Sequence, residues 1–120
     1  LKILIVDDSR AMRMIVARTL RQTGVDVNIV GEAANGQEAL GMIAEFGPDL
    51  VLCDWNMPVM NGLELLTALR AANNPVRFGF VTSEGTSDVR ETALAAGAAF
   101  VLVKPFMVED FRVAITTGKP

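Results

Sequence analysis

Five short apolar runs, at Lys2–Val6, 27–33, Leu50–Cys53, 76–81 and Phe100–Val103, are separated by stretches of helical spacing, and this alternation limits what the chain can fold into. The central run, Leu50, Val51, Leu52 and Cys53, is apolar at every position. A half-exposed strand would alternate with polar residues, so this one is predicted to be buried on both faces of a parallel sheet. Strands alternating with helices make an α/β open sheet, and right-handed crossovers place every strand carboxyl end on one edge. The expected fold is a doubly wound, five-stranded parallel sheet of the flavodoxin-like kind, with that fold's known order 2-1-3-4-5 and helices on both faces.

The segments between the runs carry helix signals. Ser9 caps a first helix bearing Met12, Ile15, Val16, Thr19 and Leu20, and Gly24 stops it. Asn35 with Glu38, and Asn61 with Glu64, have the spacing of capping pairs. Ala39, Leu40, Ile43 and Phe46 line the second helix, which Gly47-Pro48 ends, and Leu63, Leu66 and Leu69 line the third. Thr86, Ser87 or Asp88 starts a fourth helix that Gly97 closes, and Val108–Thr117 forms the last, with Phe111 and Ile115 on one face.

With 120 residues, 51% of them apolar, the chain is read as one domain, 1–120, with enough apolar mass for a core covered on two sides. It begins at Leu1 with a strand already under way, so it is read as a stand-alone domain or as one cut from a longer protein. A net charge of −3, with the basic residues scattered, argues against a nucleic-acid surface. No apolar run has the length of a membrane span and no charged-then-apolar leader is seen, so a cytoplasmic location without membrane contact is expected. One cysteine and no histidine exclude an internal disulfide, the common zinc and haem ligand sets and a Ser-His-Asp triad. A metal in this protein must be held by oxygen. Cys53 reads as a small buried apolar residue, with no basic neighbour in sequence to activate it.

Four of the five runs are followed at once by a polar group: Asp7-Asp8, Asp54, Thr82 and Lys104. Singly, each has an ordinary reading as a cap, a turn residue or a solvated charge. Together they share one sheet edge, where ligands of such folds bind at the point of strand-order reversal, between strands one and three. Three converging carboxylates repel one another and need a cation, and hard oxygen donors favour Mg²⁺ or Mn²⁺. Mg²⁺ keeps positions open for phosphate oxygens, while Lys104 and the Thr82 hydroxyl can stabilise a transferring phosphoryl group. Asp54 is then the nucleophile, through an aspartyl phosphate. Trp55, beside it, is expected to be partly exposed and to report on the site.

The segments IVDDSRAMR, DWNMPVMNGLELL, VTSEG and FVLVKPF resemble the landmarks of receiver domains of bacterial two-component response regulators, over essentially the whole chain. The second resembles single-domain chemotaxis receivers especially. The resemblance implies that Asp54 accepts phosphate from a histidine kinase, that Asp8 binds Mg²⁺ directly with Asp7 in support, and that the backbone carbonyl of Asn56 is a further ligand. It implies that Thr82 and Lys104 contact the phosphoryl group, that Asn56 and Glu84 tune its hydrolysis, and that Lys104-Pro105 is cis. The implied role is a phosphoacceptor signalling module rather than an enzyme, presenting a face of helix four, strand five and helix five to a protein target, in chemotaxis or motility.

One position departs from the pattern. Receivers usually carry Tyr or Phe three residues before the lysine, and here that residue is Val101, with Phe100 pointing to the opposite face. Coupling is therefore expected to run through Thr82 and the loop 83–87. The alternatives are a receiver belonging to a longer regulator with an output domain, or a Mg²⁺-dependent aspartyl-nucleophile phosphatase. The latter lacks its usual second Asp, since Asn56 stands there, and has no room for a substrate-covering cap.

Overall fold

Each strand forms where an apolar run predicts it, within a residue at either end. The computed structural model describes residues 1–117. In chain order the elements are β1 (Lys2–Val6), α1 (Arg10–Gln22), β2 (Asn28–Ala33), α2 (Gly36–Phe46), β3 (Leu50–Cys53), α3 (Gly62–Ala71), β4 (Arg77–Thr82), α4 (Ser87–Ala95), β5 (Phe100–Val103) and α5 (Val108–Thr117). The sheet is parallel, in the order β2-β1-β3-β4-β5. β3 lies at its centre and is buried at every residue, as its unbroken apolar run requires.

Alternation along the strands divides the core. Leu4, Val6, Val51, Cys53, Phe80 and Val101 face one side with the buried residues of α2 and α3 and Ala93 of α4. Ile3, Ile5, Leu52, Val81 and Phe100 face the other with those of α1 and α5. Neighbours Phe100 and Val101 thus sit on opposite faces, as period two demands. Each wholly buried Leu or Phe contributes roughly 1.5–3 kcal/mol.

The helix starts follow their capping residues. Ser9 Oγ accepts from the Met12 N–H, and Asn61 and Glu64 form a reciprocal capping box. Asn35 caps α2, but Glu38 reaches one residue further back, accepting from the Ala34 N–H at 3.0 Å. Thr86 is the residue that caps α4. Gly47, in the left-handed region, ends α2.

Three predicted stripe positions differ. α3 buries Gly62, Leu65, Leu66 and Leu69, a true i, i+3, i+4, i+7 face, whereas a stripe of Leu63, Leu66 and Leu69 drifts around the helix, and Leu63 is only partly covered. Ile15 is exposed because the apolar arc of α1 is wider than the sheet face that covers it; Ala17 is buried instead. Phe46 is exposed because it lies over β2, an edge strand with nothing beyond it.

Candidate functional site

Strand register assembles the site. β1 and β3 are adjacent with Val6 opposite Cys53, so the next residues, Asp7 and Asp54, emerge side by side at the carboxyl edge. Backbone bonds fix them there: the Asp7 N–H donates to the Ala33 carbonyl at 3.0 Å and the Asp54 N–H to the Val6 carbonyl at 2.9 Å. Thr82, the last residue of β4, lies opposite Val103, and the Lys104 N–H donates to the Thr82 carbonyl at 2.8 Å. A cis peptide joins Lys104 to Pro105, as the family resemblance implied.

Asp7, Asp8 and Asp54 each offer a carboxylate oxygen, and these oxygens lie within 4.8 Å of one another. Asp7 is buried, Asp54 partly buried and Asp8 exposed. Burial is the largest cause raising the pKa of both Asp7 and Asp54 above the ordinary value, and acidic neighbours add to it. Lys104 opposes the rise: its Nζ is 3.6 Å from Asp7 Oδ2 and 4.0 Å from Asp54 Oδ1. Asp7 Oδ1 accepts from the Ser9 N–H at 2.9 Å, and Asp54 Oδ1 accepts from the Trp55 N–H at 2.8 Å. One ammonium beside three converging carboxylates leaves a net negative pocket of hard oxygen donors, a donor set that fits Mg²⁺.

The remaining predicted residues frame this pocket. Thr82 is buried, its Oγ accepting from the Glu84 N–H at 3.0 Å. Asn56 is exposed, and its Nδ2 donates to Glu84 Oε1 at 2.9 Å, linking the loop after β3 to the loop after β4. Trp55 is partly exposed and packs edge-on against Phe80 with ring centroids 5.0 Å apart. Cys53 is buried, with its thiol 3.2 Å from the Asp54 carbonyl.

Two features had no sequence signal. Arg13 reaches back from α1 to the Asp7 carbonyl and pairs with Glu32 at 2.9 Å, a contact hidden because Glu32 lies on another strand. Val59 has a positive φ of 67°, which a β-branched residue rarely adopts, and is exposed in the loop bordering the site.

The fold and its acidic edge define a flavodoxin-like α/β domain with a pocket of carboxylate oxygens where β1 meets β3. Residues 3–116 match the family model described as the response regulator receiver domain, and the chain belongs to that family of two-component signalling proteins. It is 38% identical over 109 residues to the transcriptional regulatory protein PrrA of Mycobacterium tuberculosis, covering 91% of this chain but 46% of that one. The chain thus spans about half the length of this curated relative. Chemotaxis protein CheY4 of Vibrio cholerae is similar in structure, with a TM-score of 0.80 at 34% identity, covering 95% of this chain and 94% of that one. CheY of Borrelia burgdorferi, in a complex with CheX, BeF3 and Mg, gives a TM-score of 0.89 at 25% identity, covering 97% and 87%.

Proposed function

We propose that this chain is the phosphoacceptor of a two-component phosphorelay, taking a phosphoryl group from a histidine kinase onto Asp54. The observation that carries the reading is the position of Asp54, which shares one edge with two further carboxylates and with Lys104. In the transfer a carboxylate oxygen of Asp54 bonds to phosphorus, the N–P bond of a protonated phosphohistidine breaks, and neutral imidazole leaves. Lys104 turns from Asp7 toward the phosphoryl oxygens, and the Thr82 hydroxyl donates to another of them. Asp8, Asp7, Asp54 and the Asn56 backbone carbonyl would hold Mg²⁺, with Mn²⁺ as a substitute. When bound, that ion supplies the positive charge that lets an anionic carboxylate approach an anionic phosphate. Asn56 and Glu84, hydrogen-bonded at the rim, limit the approach of hydrolytic water.

The chain promotes only its own phosphorylation and dephosphorylation in this reading and is not otherwise an enzyme. Its partners are the kinase and a protein target on the α4, β5 and α5 face, in the cytoplasm, with no nucleic acid or membrane contact of its own. No helix among the described residues is long and apolar enough to cross a membrane. For the pathway we propose chemotaxis or motility, supported by the likeness to CheY4. The competing reading, a receiver joined to an output domain, is supported by PrrA, of which the chain covers less than half. An immunoblot of the native polypeptide separates the two by its size.

The test of phosphoacceptance is incubation with a small phosphodonor and Mg²⁺, followed by intact-mass analysis. One phosphoryl group per chain is expected, and none in Asp54→Asn, which remains folded. Turnover of many equivalents of a phosphoester without a stable acyl phosphate would instead favour the phosphatase reading.

A further inference from the structure

Helix α4 is held in a different way from its neighbours. α1 and α3 bury four residues each, whereas α4 buries only Ala93. Polar ties take the place of packing. Arg90, one turn before Ala93, donates from Nη1 to the carbonyl of Val101 in the edge strand β5 at 3.3 Å. Beyond the other end of the helix, Arg70 of α3 donates from Nη2 to the Gly97 carbonyl at 2.9 Å. The near end hangs on the loop 83–86, in which Gly85 fits so closely that an added Cβ would lie 2.7 Å from Val103 Cγ1.

The loop is tied in turn to the acidic edge. The Glu84 N–H donates to Thr82 Oγ and the Glu84 carboxylate accepts from Asn56, two residues after Asp54. We infer that Arg90 is a latch that holds α4 against β5 while Asp54 is unmodified and lets go when Asp54 is phosphorylated. The inference rests on the phosphoacceptor reading above. A phosphoryl group on Asp54 places anionic oxygens at the edge where Thr82 is buried. A Thr82 hydroxyl that turns to donate to them withdraws from the Glu84 amide. The loop then shifts and carries the first turn of α4 with it, while Arg70 keeps the far end in place. Arg90 is the fourth residue of the helix, near the moving end, so its bond to Val101 is the contact that breaks. Val101 is small and buried and stays where it is.

A bond made only in the unmodified state opposes the modified one, so removing it must favour the modified state by the same factor. Beryllofluoride with Mg²⁺, a non-covalent mimic of the aspartyl phosphate, measures this on the whole chain through Trp55 fluorescence. Arg90→Ala and Arg90→Met, the second keeping the aliphatic stem, should each bind beryllofluoride about fivefold more tightly than the parent, the factor for one net hydrogen bond of about 1 kcal/mol. Arg112→Ala, which removes an exposed charge on α5, should bind like the parent. Amide exchange across Ser87–Ala95 should rise in the Arg90 variants without beryllofluoride to the level the parent reaches with it. Unchanged affinity in both Arg90 variants overturns the latch, even if exchange rises, because a merely structural tie would loosen the helix without altering the affinity. A parent protein that binds no beryllofluoride overturns the phosphoacceptor reading and the latch with it.

Discussion

Lys104 stands closer to Asp7 than to Asp54, with its Nζ 3.6 Å from the first carboxylate and 4.0 Å from the second. Its charge is shared between two acids whose pKa values burial raises, and that partial compensation makes the edge sensitive to pH.

The folded protein binds protons on Asp7 and Asp54 more tightly than the unfolded chain does. Below the ordinary value of 3.8 both states carry these protons and the two acids are neutral in their effect; as pH rises from there through the raised folded values, folding stability is lost. Asp54→Asn removes one of the two groups. In metal-free buffer its stability over the parent, read from urea midpoints, should grow across that window and then level off. A gap that closes with rising pH would contradict the assignment.

Mg²⁺ should change Trp55 fluorescence, because the Trp55 N–H is bonded to Asp54 and its ring rests on Phe80. A titration should saturate in the parent and reverse with a chelator. In Asp8→Ala, which loses the exposed carboxylate of the cluster, the response should disappear or need at least tenfold more metal.

Gly62, the first residue of α3, admits no side chain. A Cβ there would lie 2.3 Å from the Asp54 carbonyl oxygen and 2.7 Å from Phe80 Cε1. Gly62→Ala should cost about 2 kcal/mol or more by urea unfolding. Because the clash bears on the backbone of Asp54, the proposed phosphoacceptor, labelling by a small phosphodonor should slow as well.

Val59 holds a left-handed conformation with three-quarters of its surface in solvent, at 75% exposure, so little packing offsets the strain. Val59→Gly or Val59→Asn should raise stability by about 1 kcal/mol, read as a higher denaturation midpoint with an unchanged slope.

The residues of the site could be read from sequence because each follows directly on an apolar run: once Val6, Cys53 and Val103 are strand residues, Asp7, Asp54 and Lys104 have one possible edge. Burial was less legible. Ile15 and Phe46 are apolar residues on apolar arcs, and only the extent of the neighbouring elements decides that they remain in solvent. Ties between distant segments were not legible at all. Asn56 with Glu84, Arg13 with Glu32 and Arg90 with the Val101 carbonyl join groups 28, 19 and 11 positions apart, and no periodicity marks such pairs.

Cys53 is the only cysteine, sealed within the central strand, and burial chiefly holds its thiol well above the ordinary value. A disulfide reagent can reach it only when β3 parts from its neighbours, so the speed at which the thiol is consumed is a native stopwatch for breathing of the acidic edge, with no label introduced. The outer surface is at the same time free of competing thiols. A cysteine engineered onto α4 could therefore take a spin label or dye alone, and the swing of that helix could be followed as a distance in the otherwise unaltered protein.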